Sequence, residues 1–346
     1  MNVKNRIEYL DNLRFFSILG IIAFHISMLW YKPEVLGISI VDICAKLGKS
    51  GVPIFLMISG ALLLKKKQYA IKDFYKKRFP RVTIPFLFWI VLYIMSILYI
   101  HQMYNNLFYD ITKHFFDTYM WYFYLIIGVY LALPFINDFI NSRDLNEVKY
   151  FVIIFISAST FYFICRYFNI FTFLDLRFFI GGIGYLVLGY YLANVKIKSA
   201  NKTILLSTIL LIVCLVMKVK YDQLCILDYV NDALFLKSNL DISFFEIGLC
   251  SSIFLIFRSM EIKKITTGKT LIKRFILSVS KASYGMYLIH VVLFLFIKSW
   301  WTKLPGSGTQ ILIIYIIITL GLFLISWILV ILLSKLPYLK EISGYH

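Results

Sequence analysis

The sequence predicts an all-α, polytopic integral membrane protein with about ten transmembrane helices and both termini in the cytoplasm. Three observations predict it. Of 346 residues, 60% are apolar and only 16% charged, whereas soluble proteins carry about 45–50% and about 25%. The apolar residues gather in ten runs, most of them close to the roughly 20 residues a helix needs to cross a ~30 Å hydrocarbon core. Lys and Arg number 36 against 18 Asp and Glu, and the surplus falls on alternate loops, as expected where cytoplasmic loops collect basic residues.

The same figures exclude other classes. Aromatics at 18% exclude a disordered chain. Five cysteines without a CxxC spacing exclude a disulfide scaffold. A net charge of +18 would suggest nucleic acid in a soluble protein, but the apolar runs leave no soluble domain to bind it. The partner implied is a lipid bilayer and not nucleic acid. The long runs lack the apolar–polar alternation of a membrane barrel. No repeat, P-loop, metal-ligand spacing or flexible linker interrupts the chain, so residues 1–346 are expected to form a single transmembrane domain.

The first run, 13–31, follows Lys4 and Arg6 and superficially resembles a secretory signal. It has no small-residue cleavage site and contains Arg14 and His25, so it reads as a retained helix. Asp42, Lys46 and Lys49 precede the short run 50–64 and suit a re-entrant or interfacial piece. The basic stretch KKKQYAIKDFYKKRFPR, residues 65–81, leads into the third run, 82–100. Pro80 suits a helix start there, where a missing N–H costs nothing. That start would put Arg78 and Arg81 in a first turn, where free N–H groups also favour anions.

The fourth run, 120–140, opens on Trp121 and Tyr122, which fit an interfacial belt. Then come 150–168, 178–194, the short 203–217, 240–257 with Glu246, 276–297 with His290, and 310–333. Trp300 and Trp301 fit a second aromatic belt between the last two. With the N-terminus inside and ten alternating spans, inner segments carry 23 Lys and Arg and outer segments 11. This predicts a multi-pass protein of the cell membrane.

Ionisable groups inside a bilayer cost about 2.5–3.5 kcal/mol each and are functional-site candidates. In the first helix, Arg14 and His25 are 11 residues apart. At 100° and 1.5 Å per residue they share a face, separated by roughly 16 Å along the axis. Asp11, three residues before Arg14, can pair with it. A snorkelling arginine and a structural histidine would also fit these positions, but the shared face points both toward one cavity. Ser59, Trp121, Tyr122, Tyr287, His290 and Asp42 are further candidates to line it.

Several segments resemble the membrane acyltransferases of the acyltransferase-3 type. YLDNLRFFSILGIIAFH is similar to that family's Arg-x10-His first helix, at Arg14 and His25. GVPIFLMISGALLL (51–64) resembles its Pro–Phe–Ser-Gly signature, although Ala61 stands where relatives often carry an aromatic. RFPR (78–81), WYFYLIIGVYLALP (121–134) and SYGMYLIH (283–290) resemble later segments in the same order.

The resemblance implies about ten helices and transfer of an acyl group from cytoplasmic acyl-CoA to a cell-surface glycan. The acyl-CoA, most simply acetyl-CoA, would be a co-substrate; no bound cofactor and no metal is expected. Carried over, His25 is the essential histidine, as general base or acyl carrier, and Arg14, Arg78 and Arg81 hold the CoA phosphates. A histidine near its ordinary pKa of about 6.5 can serve either role at pH 7. Some relatives append a soluble esterase-like domain. These 346 residues contain none, so the transfer is expected to finish in the membrane domain or on a separate extracytoplasmic partner; a homo-oligomer is the other partner expected. The acceptor would be a cell-envelope polysaccharide or lipid-linked sugar. Succinyl transfer is the alternative chemistry, and a transporter or polysaccharide exporter the alternative class, although the internal repeats common in transporters are missing.

Overall fold

A computed structural model describes residues 6–29, 40–64, 70–101, 111–112, 115, 119–168, 170, 174–176, 179–225, 241, 243–264, 270–301 and 309–345. The start of the basic stretch (65–69), most of residues 102–118, residues 226–240, and the side chains of Trp300 and Trp301 lie outside the described residues. Among the described residues there is no strand. The helices are α1 (Glu8–Ser27), α2 (Ile40–Lys49), α3 (Gly51–Leu63), α4 (Ile71–His101), α5 (Tyr122–Ser142), α6 (Leu145–Tyr167), α7 (Gly182–Asn194), α8 (Ala200–Cys225), α9 (Phe244–Ile262), α10 (Thr270–Trp301) and α11 (Thr309–Lys335). Each apolar run of the sequence overlaps one of them, and α2 is additional.

Seven of the described helices, α1, α4, α5, α6, α8, α10 and α11, are long and apolar enough to cross a membrane. The protein is therefore a multi-pass membrane protein. At 13 residues each, α3 and α7 are short, about 20 Å at 1.5 Å per residue. They lie against each other, with Gly60 on the Leu186 backbone and Gly189 on the Met57 backbone. A side chain at either glycine would overlap main-chain atoms, so this contact needs small residues, as close helix pairs in membranes do.

Helix α1 is central and packs on α2, α3, α9, α10 and α11. Burial separates the inner helices from the outer ones. In their most apolar stretches α10 is 72% buried and α1 56%, against 28% for α11 and 22% for α8. The exposed side chains of the outer pair include Leu205, Leu206, Ile209, Ile316 and Ile317. An apolar face this extensive is matched to lipid rather than water.

Asp42, Lys46 and Lys49 lie in the ten-residue helix α2, held close to α1 where Gly48 meets the Gly20 backbone. One segment departs from the sequence reading in a way that bears on the site. Helix α4 begins at Ile71, not at Pro80, and encloses both Pro80 and Pro85. Arg78 and Arg81 therefore lie in the helix interior, and the expected anion site at a helix N-terminus does not exist there. Proline removes one backbone donor and costs about 3 kcal/mol inside a helix. Packing outweighs that cost here: Phe74, Phe86, Trp89 and Ile90 on both sides of the prolines are buried.

Candidate active site

Helices α1 and α10 run parallel, because their contacts advance together along both. Lys273 pairs with Glu8 at 3.1 Å, Arg14 approaches the Ser280 hydroxyl at 3.5 Å, and His25 meets His290 at 3.0 Å. The apolar stripe of α1, including Leu10, Leu13, Ile18 and Ile22, is buried in the bundle. That packing fixes the rotation of α1, so Arg14 and His25 both face α10. The face shared in the sequence is thus shared in space.

At one end sit the two histidines. His25 is 6% exposed and His290 fully buried. His25 Nδ1 lies 3.0 Å from His290 Nε2, and His290 Nδ1 lies 3.0 Å from the Met286 carbonyl oxygen. Aromatic rings surround His25: Phe24 at 5.5 Å, Tyr119 edge-on at 5.7 Å and Phe294 at 5.9 Å between centroids. Exposed Lys298 approaches the Tyr119 hydroxyl at 3.4 Å, so Tyr119 stands between His25 and the protein surface.

At the other end sits Arg14. The sequence pairs it with Asp11, but Arg6 takes that carboxylate with two hydrogen bonds of 2.6 and 2.9 Å. Ser280 donates to Asp11 at 2.6 Å as well. Arg14 is left with Asp11 at 3.7 Å and Ser280 at 3.5 Å, both too long for strong hydrogen bonds. A guanidinium offers five N–H donors, and most of these remain for a further acceptor.

Tyrosines connect the two ends. Tyr287 lies 5.7 Å from His290 and 5.4 Å from Tyr122 between ring centroids. Arg14 lies within electrostatic reach of Tyr122 and Tyr130, and Arg78 within reach of Tyr130. Tyr284 lies within electrostatic reach of Tyr122, Tyr130 and Tyr287 and donates to the Val82 carbonyl at 2.6 Å. The column therefore runs from Arg14 and Arg78 through Tyr130, Tyr284, Tyr122 and Tyr287 to His290 and His25.

The remaining candidates are placed differently. Arg81 is exposed, one turn beyond half-buried Arg78. Ser59 donates back to Phe55 in its own helix at 2.9 Å, and its neighbour Gly60 serves the α3–α7 contact. Trp121 immediately precedes α5, and Asp42 lies in the first turn of α2. Sequence reasoning missed Arg6, Ser280, Tyr119 and Tyr130, and set Tyr284 aside as a core residue. It also missed the C-terminal segment: Trp89 donates to the Ile342 carbonyl at 3.0 Å, and the Ser343 carbonyl lies against Gly285, midway along the α10 side of the column.

A second charged centre joins α2, α8 and α9. Lys218 is 2% exposed and contacts Glu246 and Asp241, the latter at 3.0 Å; Lys49 reaches Asp241 at 3.6 Å. Cys250 adds a hydrogen bond to Glu246, and the Ser243 amide one of 2.9 Å to Asp241. Burial alone would push the Asp241 carboxyl up, but Lys218, Lys49 and Ser243 hold it well below the ordinary carboxylate range. Each charge in this cluster is met by an opposite one.

The family model for acyltransferase-3, described as an acyltransferase domain, matches residues 7–331 of the chain. No curated protein and no solved structure matches.

Proposed function

Because the chain belongs to the acyltransferase-3 family, we propose that it is a membrane-bound, acyl-CoA-dependent O-acyltransferase of the cell membrane. The donor is cytoplasmic acyl-CoA and the acceptor a hydroxyl of a cell-envelope polysaccharide or lipid-linked sugar. One observation carries this reading. A row of tyrosines lies between an under-partnered, half-buried arginine and a buried histidine. A nucleotide phosphate suits the first group and acyl transfer the second.

In this scheme Arg14 and Arg78 hold the CoA phosphates, since guanidinium matches phosphate oxygens in a bidentate fork. Arg81, being exposed, adds longer-range charge. The pantetheine arm extends along the roughly 16 Å between Arg14 and His25, which brings the thioester to the histidine. His25 takes the proton of the acceptor hydroxyl as that oxygen attacks the thioester carbonyl. Tyr119, beside His25 and Lys298, offers a ring on which a sugar face can stack. The acyl group is acetyl in this reading. Aromatic rings surround His25 and suit a small uncharged acyl group, whereas a succinyl carboxylate would have to reach Lys298, beyond Tyr119, to offset its burial.

The proposed topology is ten membrane crossings with both termini inside, in one domain. It is supported by the parallel course of α1 and α10 and by the 23-to-11 distribution of basic residues. Impermeant thiol reagents applied to intact cells should then label a cysteine placed at Lys298 and spare one at Lys76.

The activity is tested with purified protein and acetyl-CoA, following acceptor-dependent release of CoA thiol. The wild type should release thiol, and His25→Ala should lose about 10²- to 10⁴-fold in rate, the usual worth of a positioned base. Wild-type transfer by a folded His25→Ala protein would remove His25 from the chemistry.

A further inference from the structure

The geometry points to His290 as a positioning residue that decides which nitrogen of His25 is the base. This inference rests on the acyl-transfer reading of His25. It begins at the Met286 carbonyl, which can only accept a hydrogen bond. His290 Nδ1 lies 3.0 Å from that oxygen, so Nδ1 carries the proton. A neutral imidazole has one N–H, which leaves a lone pair on His290 Nε2. His25 Nδ1 lies 3.0 Å from that lone pair, so it must donate. The proton of neutral His25 is then on Nδ1, and its Nε2 is bare.

The reverse assignment would set the His290 Nδ1 lone pair against the Met286 carbonyl lone pairs. With both rings buried, water cannot repair such a clash. The hydrogen bond on one ring nitrogen thus sets the state of the other. The anchor is a main-chain atom of α10, which side-chain motion cannot displace.

The reaction then balances without any change in His290. The acceptor oxygen forms a bond to the thioester carbonyl carbon as its proton passes to His25 Nε2. When the carbon–sulfur bond breaks, its electron pair leaves on sulfur, and the Nε2 proton moves to the thiolate. The products are an ester and CoA thiol, and His25 is neutral again. In the interval His25 is an imidazolium whose Nδ1–H donates to neutral His290, a charge-assisted and therefore stronger hydrogen bond. His290 orients the ring, holds its tautomer and steadies its charge, and does not itself touch the substrate.

The direct test is the tautomeric state of the wild-type protein. In detergent-solubilised protein labelled with 15N-histidine, long-range proton–nitrogen correlations distinguish Nδ1–H from Nε2–H. The expected result is Nδ1–H for both His25 and His290. A proton on His25 Nε2 would overturn the inference without any variant. The functional test compares His290→Leu with His290→Gln. Leucine cannot accept from His25, so kcat should fall about 10²- to 10⁴-fold, as when a catalytic histidine loses its tautomer, while KM for acetyl-CoA stays unchanged. Glutamine can place an amide oxygen near the lost Nε2 and should recover part of kcat. A His290→Leu protein with wild-type unfolding temperature and wild-type kcat would overturn the inference. Should leucine prevent folding, wild-type tautomers and the kcat of His290→Gln decide it. If His25→Ala itself keeps full transfer, the base assignment fails, whatever the tautomers are.

Discussion

Arg14 and Lys218 are both cations held within the helix bundle, and they are partnered in opposite ways. The Lys218 side chain is 2% exposed and contacts two carboxylates, with a second lysine completing a neutral cluster. The Arg14 side chain is 29% exposed, and its nearest carboxylate, 3.7 Å away, is claimed more tightly by Arg6. A buried charge that is fully paired has no capacity left for a ligand. One whose donors remain open is tolerable only where a ligand or water completes them. On the proposed reading, the contrast separates structure from function among groups that composition treats alike. The Lys218 cluster ties α8 to α9 and α2, whereas Arg14 waits at the end of a column that leads to His25.

The sharpest way to break this comparison is Lys218→Met. Removing one partner leaves buried carboxylates uncompensated, at a typical cost of about 3–5 kcal/mol. Unfolding monitored in detergent should show a loss of that size, with acyl transfer per folded molecule unchanged. Loss of transfer at full stability would assign the cluster to the site instead. Arg14→Met should behave the other way. Asp11 keeps Arg6 and Ser280, so no charge is orphaned, and stability should shift by no more than about 1 kcal/mol while activity falls. A cost as large as that of Lys218→Met would mean that Arg14 is structural.

The smallest effect concerns acid. Asp241 is held below the ordinary carboxylate range, so its contribution is present above the unfolded pKa of about 3.9 and fades as pH falls below it. The stability gap between wild type and Asp241→Asn should therefore be constant from pH 7 to 5 and narrow below about pH 4. A gap that widens in acid would contradict the pairing.

What the sequence could and could not reveal follows from the range of each interaction. Apolar runs are local, and each one became part of a helix. The Arg14–His25 face is also local, set by 11 residues of one helix. Pairings between helices left no such trace. His25 and His290 are 265 residues apart, and Lys218 and Glu246 are 28 apart on different helices. Lys218 read as one more basic residue at a loop edge. Arg6 read as a flank, though it sets the state of Asp11 and hence of Arg14. Pro80 misled for a different reason. Its local preference for a helix start is real, but the packing of Phe74 and Phe86 carries α4 through it. The tyrosine column draws on α5 and α10, and no spacing in the chain announces it.

The central claim is that Arg14 anchors the nucleotide while His25 performs the chemistry. Calorimetric titration of CoA into the purified wild type, Arg14→Ala and Arg14→Lys tests it most directly. Losing charge-assisted hydrogen bonds worth about 1.5–3 kcal/mol should weaken CoA binding by roughly 10- to 150-fold in Arg14→Ala. Arg14→Lys should recover part of the affinity, because it keeps the charge and loses the fork. Arg78→Ala should weaken binding too, and exposed Arg81→Ala least. An Arg14→Ala protein that unfolds at the wild-type temperature and binds CoA as tightly as the wild type would contradict the account.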